Sequence, residues 1–145
     1  MLTFEQARRE DIPHIFQLNR ELIDRYEDFS TLDRDYVLQW VRKNLERQLP
    51  RFRRILWGGQ HAGFFCLTEA GGQWELDSLF VFPEFRGRGI GTAVLQYCLE
   101  ASRGKLFLYV FKENSGALRL YERLGFQIRQ EARKTAYIMD FKKQG

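Results

Sequence analysis

At 145 residues, with 44% hydrophobic and 29% charged side chains, the chain has the size and balance of one globular domain able to bury a core. A net charge of +4 is compatible with a polyanionic ligand or nucleic acid and requires neither. The longest unbroken apolar run, Leu106 to Phe111, is far too short to span a membrane, and two histidines and two cysteines at wide spacing give no metal signature.

Leu2, Phe4 and Gln6 begin a first strand. Asp11 offers an N-cap, with Pro13 in the first turn, to a helix whose Ile12, Ile15, Phe16, Asn19, Leu22, Ile23 and Tyr26 follow helical spacing. An acidic stretch, Asp24 to Asp35, leads to a second helix capped by Asp33 and closed by Pro50. Its apolar face is expected to be Tyr36, Val37, Trp40, Val41, Leu45 and Leu49. Gly58-Gly59, set between Ile55–Trp57 and Ala62–Leu67, signals a hairpin, and Gly71-Gly72 turns into a long strand over Gln73 to Phe82.

Pro83 stops that strand, and Thr92 to Ser102 carry helical spacing. Lys105 to Phe111 reads as a buried parallel strand. Asn114 or Ser115 can cap a helix with Ala117, Leu118, Tyr121 and Leu124 inward and Gly125 as its stop. Phe126 to Gln130 and Thr135 to Phe141 complete the chain as strands. No linker or repeat interrupts it. The order β-α-α-β-β-β-α-β-α-β-β predicts a single α+β domain over residues 1–145, with a mixed, mostly antiparallel sheet.

Cys66 and Cys98 fall inside apolar elements and read as buried thiols. His14 and His61 read as surface residues. No basic-then-apolar leader follows Met1, which favours the cytoplasm.

Between the strand ending at Phe82 and the helix near Thr92 sit Gly87, Gly89 and Gly91, interleaved with Arg86 and Arg88. Glycines there let backbone N–H groups approach a ligand, and the helix N-terminus favours negative charge, so the stretch reads as a phosphate cradle. No lysine follows the glycines, which excludes a Walker loop. A dinucleotide fingerprint also fails, because its last glycine would fall on Thr92 or Val94. The pattern that fits is Arg86-x-x-Gly89-x-Gly91 after Val81-Phe82-Pro83, joined by Asn114-x-x-Ala117-x-x-x-Tyr121-x-x-x-Gly125-Phe126. Two such motifs in this order resemble the Gcn5-related N-acetyltransferase (GNAT) family, and the element order matches along essentially the whole chain.

The resemblance implies a three-layer αβα fold, acetyl-CoA as acetyl donor without a metal, and direct attack of an amine on the thioester. It assigns the coenzyme A pyrophosphate to the loop Arg86, Gly87, Arg88, Gly89, Ile90, Gly91 and Thr92. The pantetheine arm falls to the strand Leu79, Phe80 and Val81, facing Asn114. At least one of Arg86 and Arg88 is expected to be simply solvated. Tyr121 takes the family's tyrosine position as general acid, against the plainer reading of a core aromatic. Glu75, at the offset where histone-type members carry a glutamate, is the candidate base, with Asp77 or water as alternatives.

The acceptor, a small amine or a peptide or protein amine, would meet Arg20 to Leu32 and Arg129 to Thr135. There Glu21, Asp24, Glu27 and Asp28 beside Tyr26 and Phe29 suit a cationic amine or form an ordinary solvated helix end. Other readings are an acyl-CoA sensor without catalysis and a nucleic-acid-binding domain using Arg42 to Arg54. No membrane or nucleic-acid partner is expected, and a homodimer is left open.

Overall fold

In the computed structural model, which describes residues 1–141, paired glycines set the hairpins. Gly58 and Gly59, like Gly71 and Gly72, all have φ between +58° and +83°, the left-handed conformation that tight two-residue turns require. The elements are β1 (Leu2–Gln6), α1 (Ile12–Tyr26), α2 (Arg34–Gln48), β2 (Phe52–Trp57), β3 (Gln60–Ala70), β4 (Gln73–Val81), α3 (Ile90–Ala101), β5 (Leu106–Phe111), α4 (Ser115–Arg123), β6 (Phe126–Arg133) and β7 (Ala136–Phe141). The strands form one seven-stranded sheet in the order β1-β2-β3-β4-β5-β7-β6, parallel only between β4 and β5. This is the expected α+β architecture. Lys142 and Lys143, in the basic C-terminal stretch, lie outside the described residues.

Consecutive residues of β3 divide the core, because neighbours on a strand point to opposite faces. Phe64 meets His14 of α1 at 5.5 Å, while Phe65 meets Tyr97 of α3 at 6.1 Å. Helices α1 and α2 therefore cover one face, with Arg42 of α2 over the Phe16 ring of α1. The other face carries α3 and α4, which touch where Leu120 comes beside Gly91. None of the described helices is long and apolar enough to cross a membrane.

Helix α2 departs from the expected face. Tyr36 and Trp40 are 70% and 56% exposed, and Leu38 is buried in their place, while Leu45 is buried as expected. Two apolar stripes run along this helix and only one can face the sheet. The aliphatic stripe Leu38, Val41 and Leu45, with no polar atoms to satisfy, takes the inward position. Strand β5 differs too: Leu106, Leu108 and Val110 are buried but Tyr109 is exposed. Its parallel partner is present only at Trp74–Leu106 and Glu75–Phe107. Beyond that point β4 and β5 part, and the sheet opens.

Candidate active site

The opening between β4 and β5 is a cleft of about 700 Å³ whose walls come from both sheet faces. Gly87 and Gly89 hold φ of +78° and +77° at its rim. A side chain at either would force a left-handed conformation that costs about 1–2 kcal/mol. Gly89 is the N-cap, so α3 starts at Ile90, two residues before the expected Thr92. The first bond back into the loop is Ala93 N–H to the Gly89 carbonyl at 3.0 Å. The N–H groups of Ile90, Gly91 and Thr92 are thus the unpaired start of the helix, where an anion is favoured.

The two arginines separate. Arg86 lines the cleft and donates from Nε to the Val81 carbonyl at 3.3 Å. Arg88 lies over the Phe85 ring at 5.3 Å and does not line the cleft.

On the adjoining edge of β4, Phe82 N–H donates to the Ala62 carbonyl of β3 at 2.8 Å. By the alternation of an antiparallel ladder, Phe80 also faces β3, and the Leu79 and Val81 amides face the cleft. The close pairing here depends on Gly63: a Cβ there would lie 1.9 Å from the Phe80 carbonyl oxygen. Leu79, Phe80 and Val81 all line the cleft, together with Gly87, Gly89, Ile90, Gly91, Thr92, Asn114 and Tyr121.

Asn114 caps α4 by accepting from Ala117 N–H at 3.3 Å, which occupies its oxygen and leaves its NH₂ group to the cleft. Tyr121 is 9% exposed and packs edge-on against Phe126 at 5.8 Å while also lining the cleft. It is a core aromatic and a site residue at once. Burial pushes its phenol up to about 12, with Cys98 nearby adding to the shift. At neutral pH it is a firm hydrogen donor. Cys98, fully buried in α3, is itself pushed up to about 12 by burial and is no nucleophile.

Glu75 and Asp77 take different places. Leu76 opposes Leu67 and Ser78 opposes the adjacent Cys66, so Asp77 is the extra residue of a bulge in β4. The bulge brings Asp77 to the cleft wall, whereas Glu75 is not part of the lining. Their carboxyls are close enough to hydrogen-bond. Burial first, and then Asp77, raise Glu75 to about 7. Asp77 is also raised by desolvation against the cleft wall although its side chain is exposed, and the Ser78 hydroxyl donates to it at 3.3 Å. The two carboxyls hold one proton between them more readily than two charges.

The acidic end of α1 is solvated at Glu21 and Asp24, Glu21 accepting, among the described residues, only from the Gln17 amide at 3.3 Å, but the Glu27 side chain is buried. Glu27, whose side chain is 7% exposed, accepts from Thr135 Oγ1 at 2.6 Å and Arg133 at 2.8 Å. Asp28 pairs with Lys134 at 2.7 Å, which holds its carboxyl below the usual range. Arg34 grips Asp24 with two bonds, at 2.7 and 2.9 Å. Asp24, Glu27 and Asp28 clasp the β6–β7 turn and the start of α2 to α1, and are occupied. From α1 the cleft instead receives Leu18, Asn19, Leu22, Arg25 and Tyr26, and from β5 it receives Tyr109, Val110 and Phe111. The spacing of Leu18, Leu22 and Arg25 places Arg25 on that stripe, a signal present in the sequence.

His61 is half-buried, not a surface residue. Its Nδ1 faces Arg54 at 3.1 Å and its Nε2 faces the Gly63 carbonyl at 3.0 Å, so the ring is neutral with its proton on Nε2. The same Arg54 pairs with Glu5 at 3.1 Å, so it is no part of a free basic patch.

Residues 12–126 match the sequence model of the acetyltransferase (GNAT) family. A peptidyl-lysine N-acetyltransferase, YjaB of Salmonella typhimurium, is 25% identical over 128 residues, covering 88% of this chain and 85% of that protein. An uncharacterized N-acetyltransferase of Methanocaldococcus jannaschii is 46% identical over 57 residues, 37% of this chain and only 25% of that longer protein. Among solved structures, the PaiA N-acetyltransferase of Thermoplasma acidophilum in complex with coenzyme A superposes with a TM-score of 0.71 at 20% identity, covering 99% of both chains. At that identity the likeness is one of fold.

Proposed function

The chain belongs to the acetyltransferase (GNAT) family, and we propose that it moves an acetyl group from acetyl-CoA to a primary amine by direct attack. One observation carries this reading. The parting of β4 and β5 gathers unpaired α3 amides, the free edge of β4 and the Tyr121 phenol around a single cleft. The coenzyme A complex of the PaiA relative supports the choice of donor.

In this reading the amides of Ile90, Gly91 and Thr92 hold the pyrophosphate, with Arg86 beside them. The free edge of β4 receives the pantetheine arm as an added strand, and the Asn114 NH₂ group binds the arm from the opposite wall. The Val81 amide donates to the carbonyl oxygen as negative charge develops on it. Asp77 takes the proton of the attacking amine, and Glu75 behind it shares that proton. Tyr121 donates to the departing sulfur. With the phenol near 12 and a thiol near 8.5, complete transfer is uphill, so Tyr121 acts chiefly as a hydrogen-bond donor to the thiolate.

The 145 residues act as one N-acetyltransferase domain in this proposal, in the cytoplasm where acetyl-CoA is at hand. A homodimer would form on edge strand β6, exposed from Gln127 to Arg133; sedimentation that returns the 17.3 kDa monomer mass removes it.

Acetyl-CoA should raise the melting temperature, and free thiol should appear when amines are added. No thermal shift well above micromolar acetyl-CoA sinks the proposal. A shift with no turnover on any amine makes the protein a sensor of acyl-CoA instead.

A further inference from the structure

Because the cleft runs through the sheet, its two ends lie on opposite faces. The glycine loop and α4 stand on one face, and α1 on the other. If the donor enters over the glycine loop, the acceptor comes from the α1 side. On that side three carboxylates at the end of α1 are held by partners, Asp24 by Arg34 and Arg20, Glu27 by Arg133 and Thr135, and Asp28 by Lys134. The exposed Glu21 accepts, among the described residues, only from the Gln17 amide and does not line the cleft.

Arg25 lines the cleft and makes no ion pair among the described residues, and its guanidinium lies 6.0 Å from the centroid of the Tyr26 ring. The other residues that α1 and the α1-facing side of β5 give to the wall are Leu18, Asn19, Leu22, Tyr26, Tyr109 and Phe111, all uncharged. The other lining cations, Arg86 and Arg123, come from the glycine loop and α4, on the donor's side. Asp77 is the single lining carboxyl, and it sits at the β4 bulge, where the chemistry would occur. An acceptor reaching Asp77 with its amine thus passes a wall whose one unspent charge is positive.

We propose that Arg25 selects the acceptor, which is a primary amine carrying its own carboxylate. This rests on the acetyl-transfer reading above and narrows its substrate class. A guanidinium on an aromatic floor suits a carboxylate well, since its planar fork can give two parallel hydrogen bonds. A plain cationic amine gains nothing there and is repelled.

The test is thiol release from acetyl-CoA with matched acceptors, each a free amino acid beside a counterpart whose every carboxylate is an amide: glycine and glycinamide, β-alanine and β-alaninamide, and aspartate and glutamate beside their diamides. The carboxylate member should have a kcat/KM at least about tenfold above its amide. Arg25→Ala should erase that preference through the acceptor KM and leave the acetyl-CoA KM unchanged, and Arg25→Lys should restore part of it. Amides turned over as well as acids overturn the inference, as does an Arg25→Ala effect on acetyl-CoA rather than the acceptor. Thermal stabilisation by acetyl-CoA without turnover of any panel member also overturns it. No stabilisation at all instead removes the acetyl-transfer reading beneath it.

Discussion

At the glycine end of the cleft, binding groups are backbone amides held in place by two left-handed glycines and a helix start within a few residues of each other. At the α1 end they are side chains, and their positions depend on contacts between distant parts of the chain: Glu27 with Arg133 and Thr135, Asp28 with Lys134. In the acetyl-transfer reading proposed above, the first end is a local conformation suited to what every acyl-CoA shares. The second is a tertiary assembly, free to differ from one acceptor to the next. Tyr121 stands between them, fixed by a helix whose cap, Asn114, belongs to the donor side.

The largest expected effect falls on that middle position. Tyr121→Phe keeps the ring and its packing on Phe126 but removes the donor to sulfur. We expect kcat to fall about 100-fold while the acetyl-CoA thermal shift is retained. An unchanged kcat would make Tyr121 a packing residue alone.

Next comes a pair of substitutions that separates the two ends. Gly89→Ala forces a non-glycine residue to φ +77°, so acetyl-CoA affinity should drop about tenfold with little change in acceptor KM. Glu27→Gln should do the reverse: it loosens the clasp, lowers stability by about 1 kcal/mol because Arg133 is partly solvated, and raises the acceptor KM. Calorimetry with acetyl-CoA and initial rates against acceptor read the two effects apart. If each variant moved both constants alike, the cleft would be one unit and the contrast would fail.

The same contrast explains what is legible in the sequence. The order of elements along the chain, both glycine hairpins, the glycine loop before α3 and the Asn114 to Tyr121 helix are encoded by local spacing and left-handed glycines, and local signals survive reading one stretch at a time. Tyr36 and Trp40 escape such a reading because periodicity finds an apolar stripe but cannot choose between two on one helix. The acidic run at the end of α1 reads as open charge because its partners lie more than 100 residues away. Asp77 reaches the cleft through a bulge, and a bulge is set by how β3 and β4 pair rather than by either strand alone. The residues proposed to face the acceptor are therefore the ones whose placement sequence spacing shows least.

The smallest effect, and the sharpest probe of that middle ground, is the pH response of the carboxyl pair. Glu75 is raised from 4.5 to about 7, so the folded protein binds a proton there more tightly than the unfolded chain does. Its contribution is fully present below about 4.5 and is lost as pH rises through about 7. An amide in its place carries no such charge. The melting temperature of Glu75→Gln, relative to the unaltered protein, should accordingly climb between about pH 5 and about pH 8. The rate should answer in step: kcat/KM rises through about pH 7 while the pair can still take a proton, and in Glu75→Gln that limb moves to lower pH, since Asp77 then holds its charge alone. A melting difference that is flat across this range would mean Glu75 titrates as an ordinary surface carboxyl, and an unmoved rate limb would leave Asp77 to act without it.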